Sequence, residues 1–274
     1  MKTQIWKIKK QKLEETNLAK YSNFIKKKYK IYSKNDFSKI WKWSIENPKI
    51  FWKSIWDFTK IKGHQGNILL QESNIFYKNK FFPDAQLNYA ENILKKNNSE
   101  KAIIFKSESG YKKALSWKNL NLNVAAISKW LESSGVTKGD RVAAYLPNIP
   151  ETVIAYISTS AIGAVWSSCS PDFGTAGVID RFSQIKPKIL FICDKYFYNG
   201  KEINILSRIP EILKKIPSIK YLIITNYPGQ KYLNRNYNFK KVKKYLFKDI
   251  KKIKKKTKII FNKFDFEPEL AILY

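Results

Sequence analysis

Residues 139–201, GDRVAAYLPNIPETVIAYISTSAIGAVWSSCSPDFGTAGVIDRFSQIKPKILFICDKYFYNGK, leave few folds open. Three runs, 141–146, 164–170 and 188–194, are nearly continuous in apolar or small residues, as strands covered on both faces are. Between the first two, Val153, Ile154, Tyr156, Ile157 and Ala161 recur at helical spacing. Pro150 suits a first helical turn, and Glu151 beside it suits the positive end of the helix dipole. A second helix is expected from Thr175, read as its N-cap, to a stop before Pro187. Strand, helix, strand, helix, strand predicts an α/β fold: a parallel sheet with flanking helices and right-handed crossovers.

Ligands of open α/β sheets bind beyond the carboxyl ends of the strands. Three loops are expected to leave those ends, 147–150, 171–174 and 195–201. Ser170 closes the run before the second, which holds Pro171, Asp172, Phe173 and Gly174; the third holds Tyr198, Asn199, Gly200 and Lys201. Gly174 and Gly200 let a ligand approach the backbone, and Lys201 has the reach to meet a phosphate. The same residues also make ordinary turns, and on spacing alone that reading comes first.

The net charge of +30 bears on partners. Of the 52 basic residues only Arg141, Arg181, Arg208 and Arg235 are arginines. Nucleic-acid surfaces lean on Arg for bidentate and stacking contacts, so no specific nucleic-acid partner is expected. The charge predicts nonspecific attraction to polyanions at low salt. The densest run, 251–256, reads as a solvated loop or helix face. Cys169 and Cys193 fall inside apolar strands, as core thiols of a reduced, cytoplasmic protein do. His64 is the one histidine, so neither a His/Cys metal cluster nor a Ser-His-Asp triad is expected. The opening residues lack the apolar core of a signal peptide, and no run of eighteen apolar residues exists, so no membrane partner is expected.

Upstream, 1–35 is Lys-rich and predicts short helices packed on something larger. Asp36 is expected to cap a helix through Ser44, and Pro48 to open another through Phe58. Trp41, Trp43, Phe51, Trp52, Ile55, Trp56 and Phe58 read as the core of that pair. A Gly-rich turn follows at 63–66, and a helix is expected to start near Asn88. Runs 101–105 and 112–115 predict a hairpin. Ser116 is expected to cap a helix through Ser134, its buried face carrying Leu120, Val124, Ile127 and Leu131, with Gly135 as the stop. Beyond 201, the pattern gives an interrupted helix over 203–216 and a strand over 220–225. Residues 227–262 are basic and unpatterned. Residues 270–274 read as another buried strand, and its position at the close of the chain is taken as a mark of truncation.

FFPDAQLNYAENIL (81–94), GVTKGDRVAAYLPNIPETVIAYISTSAIGAVWSS (135–168), SPDFG (170–174) and IDRFSQIKPKILFICD (179–194) together resemble the adenylate-forming acyl-CoA synthetases, the fold shared with firefly luciferase and nonribosomal adenylation domains. Within them, SPDFG points to the acetoacetyl-CoA synthetases, since acetyl-CoA synthetases carry a Gly-Gly-Phe version of that loop. The resemblance runs from about residue 35 to 274. It implies an N-terminal extension (1–34), a helical cap (35–95) and the first, incomplete part of an AMP-dependent synthetase/ligase domain (98–274), cut before the phosphate loop.

The resemblance implies an acid–thiol ligase. Acetoacetate attacks the α-phosphorus of ATP, and the CoA thiol then displaces AMP. ATP, Mg2+ and CoA are thus substrates of the longer enzyme, none held covalently, and the partner implied is the missing C-terminal part of the same chain. The family's phosphate loop, ribose-binding Asp and catalytic Lys lie later, so no catalytic or metal residue is assigned here. What is assigned is the CoA side. The family's basic loop matches Tyr198, Asn199, Gly200 and Lys201, with Tyr198 and Lys201 standing where relatives have arginines. Ser170, Pro171, Asp172, Phe173 and Gly174 match a segment lining the pantetheine tunnel. Asp172 stands where relatives have Gly, and capping the next helix is its other reading. A ligase for another short acid, and a basic polyanion-binding protein, are the competing functions.

Overall fold

The computed structural model describes residues 10–33, 36–231, 239, 242–253 and 258–274. The chain divides into two units, Met1–Gln86 and Leu87–Tyr274.

In the first unit, helix Asn17–Tyr29 is capped by Thr16, whose side chain accepts from Ala19 N, and helix Phe37–Glu46 by Asp36, which accepts from Ser38 N. Helix Pro48–Thr59 opens on its proline. Tyr21, Ile25 and Ile40 form the core, with Phe24, Trp43, Phe51, Ile55 and Phe58 packed on it. The expected aromatic core is therefore corrected at Trp41 and Trp52, which stay 57% and 43% exposed. Ile40 and Trp43, three apart, share the inward face of their helix, and Trp41 lies off it. Gly66 is required by its surroundings. Its φ is +79°, and a Cβ would sit 2.5 Å from the Asp84 carboxylate that accepts from Asn67 N and Ile68 N.

The second unit holds a five-stranded parallel sheet. Its strands are β1 (Arg141–Tyr145), β2 (Val165–Cys169), β3 (Ile189–Cys193), β4 (Tyr221–Thr225) and β5 (Lys243–Leu246). The order across the sheet is β5-β4-β3-β1-β2. Helices α1 (Trp117–Ser133), α2 (Pro150–Ala161) and α3 (Thr175–Ile185) flank it. Chain order reverses at β1: β2 lies on one side and β3 on the other. With right-handed crossovers this sends α2 and α3 to opposite faces. The core follows from the sequence periods. β3 is buried at every residue, and α1 buries Leu120, Val124, Ile127 and Leu131 as its spacing requires. Ser116 caps α1 by accepting from Asn119 N, and Gly135 follows its end at φ +79°.

Five sequence expectations are corrected. Thr175 is the first residue of α3, not its cap; Gly174 is the N-cap, with no side-chain bond. The loop expected over 195–201 is a hairpin, Lys195–Tyr198 against Lys201–Asn204. Asn199 and Gly200 both take positive φ, 49° and 73°, the combination that a tight two-residue turn between twisted strands needs. The interrupted helix thus starts later, as a 3-10 turn Leu206–Arg208 running into helix Ile209–Lys215. The unpatterned stretch contains β5 and a helix Phe247–Ile253. β5 is a sheet edge bearing Lys243 and Lys244, so it lacks the apolar run of a central strand. Of the basic run 251–256, residues 254–256 lie outside the described residues.

The expected buried strand over 270–274 is the fifth correction. Ala271 makes a single parallel bridge to Trp166, beyond the edge strand β2. Leu273 and Tyr274 are 83% and 54% exposed.

Candidate functional site

Because chain order reverses at β1, the connections leaving the paired strands β1 and β3 run to opposite faces of the sheet, the position where sheets of this order bind ligands. Tyr145, the last residue of β1, is buried beneath it. Its hydroxyl lies 2.6 Å from Phe173 O and 3.1 Å from Pro171 O. Arg208 donates from Nη1 to the Tyr145 hydroxyl at 2.5 Å and to the same carbonyls, Pro171 O at 3.0 Å and Phe173 O at 3.3 Å. Burial pushes the Tyr145 phenol pKa up, against the pull of Arg208, so the hydroxyl stays a donor. One guanidinium and one phenol thus fix the carbonyls of the 170–174 loop.

The side chains of that loop are engaged too. Ser170 donates from Oγ to Asp172 Oδ2 at 2.8 Å. Burial, and then the Asp172 carboxylate to which it bonds, raise the pKa of Tyr196. The capping alternative for Asp172 is overturned, since Gly174 is the N-cap of α3 and no side chain bonds there. Phe173 keeps 39% of its surface exposed, with the Arg181 guanidinium 4.3 Å from its ring centroid. Gly174 has φ −65°, which any residue adopts, and a Cβ there would meet nothing within 4 Å.

The second set of candidates forms the hairpin tip. Tyr198 and Lys201 pair across the turn, and both side chains are exposed. Lys201 makes no ion pair among the described residues. The turn's backbone N–H groups already have an anion. Asn199 N donates to Glu108 Oε1 at 3.3 Å and Gly200 N to Oε2 at 3.1 Å. Glu108 comes from the turn of another hairpin, Lys101–Lys106 with Lys112–Ser116. The two candidate sets share a rim because the loop follows β2 and the hairpin follows β3, both at the carboxyl ends of parallel strands. The tip lies three residues beyond Tyr196 along the strand, about 10 Å away. Below it, Asp194 joins the ends of β3 and β4 by accepting from Lys195 N and Tyr227 N, each at 2.9 Å.

Sequence reasoning missed Tyr145, Tyr196, Glu108 and Arg208. Only Arg208 left a signal, being an arginine in a lysine-rich chain. The described arginines all bind backbone carbonyls: Arg141 those of Ile185 and Gly139, Arg181 that of Gly177, Arg208 those of Pro171 and Phe173. Arg141 uses two nitrogens of its planar fork, Nε and Nη1, whereas Arg181 and Arg208 bond through Nη1 alone. Among the described residues no three His, Cys, Asp or Glu side chains converge to hold a metal ion.

The model of the AMP-binding enzyme family matches residues 91–258, more than half of the chain. Acetoacetyl-coenzyme A synthetase of Rhizobium meliloti (strain 1021) is 40% identical over 181 residues, 66% of this chain and 28% of that protein. Acetoacetyl-CoA synthetase of Xenopus tropicalis is 34% identical over 196 residues, 70% of this chain and 29% of that one. Among solved structures, acetoacetyl-CoA synthetase from Streptomyces lividans superposes with a TM-score of 0.85 at 26% identity, covering 98% of this chain and 41% of its own. The chain spans less than a third of the length of these curated relatives. Its fold is that of the adenylate-forming enzymes, as the resemblance implied, and the chain belongs to the AMP-binding enzyme family.

Proposed function

We propose that this chain supplies the CoA-facing part of an AMP-forming acetoacetate–CoA ligase. The single observation carrying the reading is its likeness to the Rhizobium acetoacetyl-CoA synthetase. In the proposed reaction the acetoacetate carboxylate attacks the α-phosphorus of ATP, giving acetoacetyl-adenylate and diphosphate. The CoA thiol then attacks the acyl carbon and expels AMP. The first step needs backbone donors around the phosphates, Mg2+ on a carboxylate, and a cation beside the reacting carboxylate. The reading assigns none of those groups to the residues of this chain.

On this reading the domains run as an extension (1–34), a cap (35–95) and part of the ligase domain (98–274), and the protein works in the cytoplasm. No helix among the described residues is long and apolar enough to cross a membrane. The 170–174 loop lines the path of the pantetheine arm. Its clamped carbonyls support that assignment, since a wall of fixed shape positions a flexible substrate with little reorganisation. Lys201 meets the CoA 3′-phosphate at the hairpin tip. Its exposure and freedom from an ion pair support this, and the phosphate competes there with Glu108 for the turn's N–H groups.

The test is diphosphate release by the purified chain with ATP, Mg2+ and acetoacetate, with acetate and propionate as alternative acids. No turnover is expected from the chain alone. Robust turnover would overturn the assignment of ATP chemistry to residues outside it; in a complete ligase carrying this segment, a preference for acetate or propionate would overturn the choice of acid.

A further inference from the structure

A cavity of about 410 Å³ opens among strand Lys112–Ser116, α1, α2 and helix Phe247–Ile253. Lys113, Lys248, Lys251, Lys252, Asn123 and Glu151 line it, none of them a rim candidate. Its size is that of a small-molecule site. Glu151, only 7% exposed, lies in the first turn of α2. Its Oε1 accepts from Lys113 Nζ at 3.4 Å, while its buried Oε2 has no hydrogen-bond partner. Buried carboxylate oxygens are nearly always satisfied, so one left without a donor on the wall of a cavity points to a donor from outside the protein.

The lysines point to the ligand's other end. Lys248 and Lys251 make no ion pair among the described residues, and Lys252 is 3.9 Å from Asp249. Burial pushes the Lys251 ammonium pKa down; Glu151 opposes this and Lys113 adds to it. An anion between Lys113 and Lys251 relieves that repulsion. No arginine lines the cavity, and point charges converging from several directions suit a tetrahedral oxyanion better than a planar carboxylate. α2 opens here at Pro150 with no side-chain cap, which adds the positive end of its dipole.

We propose that this cavity binds a small phosphorylated polyol. The phosphate lies among Lys113, Lys248 and Lys251, and a hydroxyl of the same molecule donates to Glu151 Oε2. The probe is ribose 5-phosphate, measured by equilibrium dialysis against the full chain at about 0.15 M salt, where loose attraction to the +30 chain is screened. Inorganic phosphate and ribose are the comparison arms.

Saturable binding of ribose 5-phosphate is expected, with inorganic phosphate weaker and ribose not bound. Lys251→Met keeps the apolar stem and should weaken binding about tenfold, the loss of one charge-assisted contact. Lys248→Met, at an exposed position, should act in the same direction and serves if Lys251→Met does not fold. Glu151→Gln should strengthen inorganic phosphate and shrink the preference for ribose 5-phosphate. Lys214→Met, an exposed lysine of helix Ile209–Lys215, should change nothing. Absent or unsaturable binding, or an equal loss in Lys214→Met, overturns the site. Equal affinity for ribose 5-phosphate and phosphate overturns the role of Glu151.

Discussion

The 170–174 loop and the 198–201 hairpin tip sit on one rim and are held in opposite ways. The loop is fixed from beneath through its backbone: Tyr145 and Arg208 reach the carbonyls of Pro171 and Phe173. The tip is held from outside, by an exposed Glu108 carboxylate on two turn N–H groups. Its charged side chain, Lys201, makes no ion pair among the described residues. Bonds beneath the rim leave a surface ready-shaped for a neutral chain. A surface carboxylate on an anion-binding turn leaves one that an incoming phosphate has to contest. On the proposed reading, a neutral pantetheine arm would meet the first and a charged 3′-phosphate the second.

Breaking the loop should give the largest effect. Arg208→Ala removes the donor to the Tyr145 hydroxyl and one of the two groups that reach each carbonyl. The expected loss is about 2–3 kcal/mol of unfolding free energy, read by urea denaturation. Arg208→Lys should recover only part, because the lysine Nζ lies one bond nearer the backbone than the Nη1 that makes all three contacts. Full recovery by lysine would reduce Arg208 to a surface charge.

The tip should respond in binding rather than in stability. In a complete ligase carrying this segment, Lys201→Ala should raise the Michaelis constant for CoA about tenfold, the loss of a contact worth roughly 1.5–3 kcal/mol. Adenylation, measured by diphosphate exchange, should hardly change. Dephospho-CoA, which lacks the 3′-phosphate, should be used equally by wild type and variant. A variant that loses adenylation and keeps its CoA dependence would make Lys201 structural. The converse change, Glu108→Gln, removes the competing charge. It should tighten CoA a few-fold and lower stability by less than about 1 kcal/mol. Weaker CoA binding in that variant would mean that Glu108 orders the tip for its ligand.

The two regions were also unequally legible in the sequence. The apolar runs and the spacing in α1 and α2 disclosed β1, β2, β3 and the faces they bury, because burial on both sides of a strand writes itself into composition. The stretch that forms the hairpin over 195–204 reads as a loop because its tip residues Tyr198 and Lys201 are polar, although Asn199-Gly200 is a two-residue turn signal. β5 was hidden by its edge lysines. The contacts that shape the rim were the least legible. Tyr145–Arg208 spans 63 residues and Asn199–Glu108 spans 91, and no local pattern encodes either. SPDFG was visible as a motif, but what holds it was not.

The opposite ends of the same strands offer the smallest effect and a control. Asp140 precedes β1 and Lys188 precedes β3, and their side chains meet at 2.5 Å. Asp140 Oδ2 also accepts from Thr137 N and Thr137 Oγ1. Desolvation pulls its pKa up, but the bonds from Lys188 and Thr137 win, and the carboxyl stays below its ordinary value. A depressed folded-state pKa means that the contribution is fully present above the unfolded value of about 3.9 and is lost as pH falls through the folded one. Asp140→Asn should therefore destabilise the chain modestly at neutral pH and flatten the fall in stability below about pH 4. Because this pair joins β1 and β3 at the end away from the rim, the variant should leave CoA binding in the complete ligase unchanged. If it weakens CoA as Lys201→Ala does, the rim answers to the whole register of β1 on β3. The contrast between a clamped loop and a contested tip would then be a property of the sheet and not of the bonds at its edge.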